Sequence, residues 1–209
     1  MIWTAKNRWF HQGPYDILEI LKLLNLNSNN FKKKRVHDVK DLLNASNNYL
    51  TFFHSKKYKE LANFTKAAFC ITTDSLKNEL PKNCKPLIVK NVLISTSIVT
   101  SKFYPDSVND NFDSEVTDIS DTTYKNKIIF GKNVLIGKNV TLGSKCSIGH
   151  NTIIEKNVSI GENCSIGSNT IIRNSLIGNN VKILDNCVIG KHGFGFLPDT
   201  NKNLRYPHI

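Results

Sequence analysis

No stretch of the sequence approaches the roughly 18 apolar residues needed to cross a bilayer as a helix. The first ten residues, MIWTAKNRWF, lack the apolar core and small-residue cleavage site of a secretory signal. A cytoplasmic, soluble protein is the expectation from these two absences. Five cysteines occur, Cys70, Cys84, Cys146, Cys164 and Cys187, with no CxxC pair among them. The odd count and this spacing argue against both a disulfide framework and a zinc site. Glycine and proline are scarce, at 11 and 6 of 209 residues, and most of the glycines fall at one recurring position in the second half.

The length suffices for one large domain or two small ones, either able to bury a core. The net charge of +11 is uneven. Residues 1–104 hold 17 Lys/Arg against 7 Asp/Glu, residues 105–127 hold 2 against 6, and residues 128–209 hold 9 against 4. A basic surface suits anionic partners such as nucleotide phosphates or an acidic protein. The run Lys32-Lys33-Lys34-Arg35 is too short to specify nucleic acid and reads as a solvated loop, so no nucleic-acid partner is expected.

From residue 128 a six-residue period dominates. Large apolar residues recur at Phe130, Ile136, Leu142, Ile148, Ile154, Ile160, Ile166, Ile172, Ile177, Ile183 and Ile189, and Gly follows eight of the eleven. Two positions earlier comes a small or β-branched residue: Ile128, Val134, Val140, Cys146, Thr152, Val158, Cys164, Thr170, Ser175, Val181, Cys187. Asn133, Asn139, Asn151, Asn157, Asn163, Asn169, Asn180 and Asn186 stand three positions after the large site. Sites two apart share one face of a short strand. Gly and Asn tolerate the left-handed backbone of a sharp corner. Three short strands per 18-residue coil, stacked as a prism, satisfy this period; an amphipathic helix or a meander does not. The three repeat cysteines sit on the small inward site and read as buried apolar residues. Only five residues separate Ile172 from Ile177, a one-residue deletion to be absorbed at a corner.

The first half alternates helical and strand patterns, implying a small α/β domain. Helices are expected over 14–25, 55–64, 74–80 and 91–104, and strands over 49–53, 67–72 and 86–90. The acidic segment 105–127 reads as a linker or a degenerate first coil. The domain expectation is therefore 1–104 for an α/β nucleotide-binding head, 105–127 for the join and 128–209 for an incomplete β-helix.

Three segments carry a family resemblance: Phe10-His11-Gln12-Gly13-Pro14-Tyr15 before the first helix, Leu50 through Tyr58 leading into Ala67-Ala68, and Val188-Ile189-Gly190-Lys191-His192-Gly193-Phe194-Gly195-Phe196 interrupting the coils. In this order they resemble the UDP-3-O-(3-hydroxyacyl)glucosamine N-acyltransferases of lipid A synthesis in Gram-negative bacteria. The resemblance implies a left-handed parallel β-helix behind the α/β head, and a homotrimer. It implies transfer of a 3-hydroxyacyl group from an acyl-carrier-protein thioester to the 2-amino group of a UDP-linked acylated sugar, with no further cofactor. It places Phe52 and Tyr58 as the two rings that hold the uracil. Ser55 stands where the family has an Asn that bonds the uracil edge, which leaves base selectivity open because a hydroxyl offers less than an amide. Gly193, Phe194, Gly195 and Phe196 would line the acyl and substrate cleft.

An attacking amine must shed a proton, and His is the usual base near neutrality. The family's His lies in a later coil, so the resemblance places it beyond Ile209 and makes this chain a C-terminally truncated fragment. His150, in Ile148-Gly149-His150-Asn151, mimics the catalytic tetrapeptide but in the wrong coil. His192, seven residues after Asp185, echoes the catalytic spacing but immediately precedes the Gly-Phe segment. His11, His37, His54 and His208 have no partner pattern and read as loop residues. Two rival readings remain: a nucleotide-sugar N-acyltransferase using acyl-CoA, and a non-catalytic nucleotide-sugar-binding scaffold. A zinc hydratase on the same prism is disfavoured because no three histidines are spaced to surround one metal.

Overall fold

Asp16 starts the first helix with a capping box: its carboxylate accepts the Leu18 amide at 2.9 Å, and Glu19 accepts the Asp16 amide at 3.2 Å. The structure, a computed structural model, describes residues 11–108, 111–191, 193, 195–198, 203–205 and 207. The chain divides into two compact units, Met1–Asn109 with Gly193–Ile209, and Asp110–His192.

In the first unit β1 (Tyr15–Asp16) leads into α1 (Ile17–Leu23), and β2 (Arg35–Val36) pairs antiparallel with β1. Next come β3 (Asp38–Val39), β4 (Tyr49–Phe53), α2 (Lys59–Asn63), β5 (Phe69–Thr72), β6 (Lys85–Ile88) and α3 (Val92–Phe103). The strands β3-β4-β5-β6 form one parallel sheet in chain order. Parallel sheets need cover on both faces. One face packs Leu50, Ile71 and Leu87 with Ile17, Ile20 and Leu21 of α1 and Val99 and Phe103 of α3. The other packs Phe53 and Cys70 with Leu42, Ala62, Leu76 and Cys84. At the sheet's edge the buried Asp38 carboxylate accepts the Tyr104 hydroxyl at 2.8 Å and pairs with Lys40 at 3.0 Å, and His11 Nε2 lies 3.8 Å from it.

The helix expected over 74–80 is only a 3-10 turn, Lys77–Glu79. Local polar bonds compete there: the Thr73 and Ser75 hydroxyls meet at 3.0 Å and Lys77 bonds Asp74 at 2.5 Å, so the segment folds on its own side chains. Likewise residues 55–64 split into a 3-10 turn, Lys56–Tyr58, and the short α2. The helix over 14–25 contracts to Ile17–Leu23, started by the Asp16 cap and stopped where Asn25 turns left-handed at φ 54.

In the second unit the six-residue period builds a left-handed parallel β-helix. Ile129–Phe130, Ser147–Ile148, Ser165–Ile166 and Lys182–Ile183 stack in one parallel sheet. Leu135–Ile136, Ile153–Ile154, Ile171–Ile172 and Val188–Ile189 form the second, and Thr141–Leu142, Ser159–Ile160 and Leu176–Ile177 the third. Large and small sites interleave inside, with Ile154, Ile172, Val158, Thr152 and Thr170 fully buried. Inward Cys and Thr also donate across coils: Cys146 to the Gly161 carbonyl at 3.1 Å and Thr152 to the Gly167 carbonyl at 2.9 Å. The deletion after Ile172 is taken up at one corner. Partners there shift from 18 to 17 residues, as in Ser147 with Ser165 but Ser159 with Leu176, and Asn174 turns to φ 47.

Two expectations about this unit are revised. The segment 105–127 is neither a plain linker nor a coil: Thr117–Asp118 runs antiparallel to Leu135–Ile136, and Ile119 is fully buried against the column. Tyr124 donates to the Val140 carbonyl at 2.8 Å. This segment covers the open end of the first coil, where unpaired strand edges need protection. Nor do the described residues continue the column beyond Val188–Ile189. After that strand Phe196–Leu197 and Leu204–Arg205 pair antiparallel, and the Ser97 hydroxyl of α3 donates to the Arg205 carbonyl at 3.4 Å.

The corner residues divide their work differently from the sequence expectation. All eight recurring Asn adopt the left-handed backbone, with φ between 55 and 61, whereas Gly190 alone among the repeat glycines does so. Six of the other seven, all but Gly178, are required by close approach. A Cβ on Gly143 would lie 2.5 Å from the Gly161 carbonyl carbon and 2.6 Å from the Glu162 amide nitrogen, whereas one on Gly178 would meet nothing within 4 Å. Gly143→Ala should therefore destabilise the fold by about 1–3 kcal/mol, the usual cost of overpacking. Gly178→Ala should leave the urea unfolding midpoint nearly unchanged, and equal effects of the two would contradict this assignment.

Candidate functional site

In open α/β sheets ligands bind beyond the carboxyl ends of the strands. β4 ends there at Phe53, and the chain turns through His54 and Ser55 into the 3-10 turn that carries Tyr58. The pleat sends Leu50 and Phe52 to one face and Phe53 to the other, so Phe52 sits half-buried at the margin of the main core. Tyr58 is half-buried against the second core cluster. Ser55 caps the turn, its Oγ accepting the Lys57 amide at 3.4 Å.

The two expected rings meet through a third. The exposed His54 imidazole stacks on Phe52 at a centroid distance of 6.3 Å and 26°, and contacts Tyr58 at 5.4 Å and 48°. Lys57 stands 5.9 Å from the Tyr58 ring centre, and Lys56 is exposed beside it. Flat aromatic faces at a strand end, with ammonium groups alongside, suit a planar base joined to phosphates. His54 reads as a loop residue in the sequence; the structure places it in the row. The legible signal was its position two residues past Phe52, which the strand alternation carries to the same side.

The remaining expected site residues fall elsewhere. Nδ1 of His150 accepts the Lys132 amide at 2.8 Å, and the His150 amide donates to Ser168 Oγ at 3.1 Å. The Ser168 amide in turn donates to the Asp185 carboxylate at 2.6 Å. These residues stack at one corner as a ladder of side chains capping amides, so His150 and Asp185 have structural work. His192 and Phe194 lie outside the described residues. Of the Gly-Phe segment, Gly193 offers its carbonyl to Arg205 at 3.4 Å, Gly195 is half-buried, and Phe196 is exposed in the strand pair. Among the described residues no three His, Cys, Asp or Glu side chains stand together as a metal site. No helix among them is long and apolar enough to cross a membrane.

One charged group was not expected. Glu155 and Arg173 replace the corner glycine in two successive coils and therefore stack, forming an ion pair at 2.8 Å with side chains only 11% and 12% exposed. Burial raises the Glu155 carboxyl above its ordinary value, the Arg173 charge pulls it back, and the nearby Asp113 carboxylate adds to the rise.

Residues 33–100, which contain the aromatic row, match the family model for UDP-3-O-(3-hydroxymyristoyl) glucosamine N-acyltransferase, LpxD. Residues 143–174 match the model for the bacterial transferase hexapeptide. The chain is 33% identical to UDP-3-O-acylglucosamine N-acyltransferase 2 of Legionella pneumophila (strain Paris), over 94% of this chain and 58% of that protein. It is 34% identical to UDP-3-O-acylglucosamine N-acyltransferase of Acinetobacter baylyi (strain ATCC 33305 / BD413 / ADP1), over 76% of this chain and 45% of that protein. The chain thus spans about half the length of these curated relatives. With the head-domain match, the coil match and this identity along nearly its whole length, the chain is a relative of the UDP-3-O-acylglucosamine N-acyltransferases, a family of acyltransferases.

Proposed function

We propose that this chain supplies the nucleotide-holding head and the assembling column of an N-acyltransferase. The enzyme moves a 3-hydroxyacyl chain from an acyl-carrier-protein thioester to the 2-amino group of a UDP-3-O-acylglucosamine, in the cytoplasmic synthesis of lipid A. The observation that carries this reading is the row Phe52–His54–Tyr58 with Lys56 and Lys57 beside it, inside the segment matched by the family model. Stacking holds the uracil, and the ammonium groups attract the diphosphate. The chemistry is attack of the sugar amine on the thioester carbonyl, loss of the amine proton to a base, and departure of the carrier thiol. His150 is unsuited as that base, because its Nδ1 is already an acceptor within the corner ladder. The test is calorimetric titration with UDP-glucosamine and with glucosamine, followed by competition of carrier-protein and CoA thioesters as donors. Binding of the nucleotide sugar alone, and preference for the carrier thioester, are expected. Equal binding of both sugars, or preference for CoA, would overturn the reading.

The homotrimer belongs to the same proposal, and the column's outer surface supports it. Between the inward sites one outward residue per strand faces away from the core. In the second sheet these are Leu135, Ile153, Ile171 and Val188, an unbroken aliphatic line. The first sheet shows Ser147, Ser165 and Lys182 after Ile129, and the third Thr141, Ser159 and Leu176. An aliphatic line on one face of three is suited to burial against other copies of the chain. Ile153→Asp together with Ile171→Asp should convert a trimer to monomer in sedimentation velocity. A parent chain that sediments as a monomer, or a variant that stays trimeric, would refute the assignment of this face.

A further inference from the structure

We infer that His54 reads the edge of the base, as a third member of the clasp; this rests on the reading of Phe52 and Tyr58 as the rings that hold a pyrimidine nucleotide. Stacking on a π face is sequence-tolerant, since every base has one. Choosing among bases needs a hydrogen-bonding group directed at the base's edge. Ser55, the polar residue between the two rings by sequence expectation, has its Oγ committed as acceptor to the Lys57 amide that it caps. What remains on that side chain is its hydroxyl proton and one lone pair, both on a single atom tied to the turn.

His54 is differently placed. Its ring touches both Phe52 and Tyr58, whereas those two rings contact His54 and not each other among the described residues. It is exposed, and among the described residues no hydrogen bond or ion pair engages either ring nitrogen. A neutral imidazole offers one N–H donor and one acceptor nitrogen. Either nitrogen can meet one group of a uracil edge, the N–H a carbonyl oxygen or the bare nitrogen the N3–H, although the two diverge too far to meet neighbouring groups together. Lys57, beside Tyr58, remains available for the phosphates at the other end of the ligand.

The test separates ring from edge. His54→Phe keeps an aromatic face and removes both polar nitrogens; His54→Gln keeps a donor and an acceptor without the ring. Titrated with UDP, His54→Phe should bind about tenfold more weakly than the parent, the scale of one lost polar contact to a base edge. His54→Gln should recover most of that loss. Because His54 is exposed, both variants should melt at the parent's temperature. His54→Phe binding UDP as tightly as the parent, or more tightly, would overturn the inference. Phe52→Leu distinguishes the two levels: if it weakens UDP binding and His54→Phe does not, only the assignment of His54 falls. If Phe52→Leu also leaves binding intact, the clasp itself falls and His54 with it.

Discussion

Phe52→Leu and Tyr58→Leu are each expected to weaken UDP binding by about 1–3 kcal/mol, the measured range for an aromatic side chain on a base. Leucine is chosen over alanine because Phe52 packs against the main core and Tyr58 against the second cluster. Alanine at either place would mix a packing defect with the loss of stacking. The double substitution should abolish detectable binding in a calorimetric titration, while the coils, a separate compact unit, keep their fold. A double variant that still binds UDP like the parent would remove the nucleotide from this edge of the sheet.

Arg173→Met is expected to produce the largest stability loss of any single charge removal in the column, about 3 kcal/mol, because it leaves the Glu155 carboxylate buried without its partner. The pair is nearly enclosed, and Nε of Arg173 is already buried without a hydrogen-bond acceptor. Replacing both residues with Met should therefore cost far less than Arg173→Met alone, since two apolar side chains of similar volume leave no charge behind. The pH dependence has a definite sign. Burial already holds the Glu155 carboxyl above its ordinary value, and losing Arg173 removes the main opposing influence. A carboxyl raised in the fold binds its proton more tightly than in the unfolded chain. Lowering the pH from neutrality through that raised value should thus restore part of the lost stability. Urea midpoints of the single variant near neutrality and in mild acid measure this; a further fall in acid would contradict it.

The column was legible because one local rule repeats. Each turn shows the same inward pair and most show the same corner Asn, so turn after turn restates the fold, and Ile154, Ile172 and Val158 are buried as the pattern requires. What the glycines do was not legible in the same way. Their spacing announces a corner, but only the stacked coils show that the Gly143 Cα lies under the Gly161 carbonyl rather than in a left-handed turn. The head was readable where strands are continuous and apolar, as in Tyr49–Phe53, and misread over 74–80, where side-chain bonds of Thr73, Asp74 and Ser75 outweigh helical propensity.

At the candidate site the division is similar. The resemblance led to Phe52, Ser55 and Tyr58, because those positions follow a family pattern. His54 carries no such pattern; its role comes from a strand ending at Phe53 and a turn that folds back to Tyr58, bringing three rings side by side. The Glu155–Arg173 pair was hidden for a simpler reason. Each residue reads alone as a lapse from the glycine rule, and only the 18-residue winding sets one lapse directly on the next.

The central claim is that a uridine nucleotide lies against the aromatic row at the end of β4. Nuclear Overhauser spectra of the chain with UDP test it directly. Transfer is expected from the uracil H5 and H6 protons to the ring protons of both Phe52 and Tyr58. Saturated binding with no such transfer, or transfer to rings elsewhere in the chain, would contradict it.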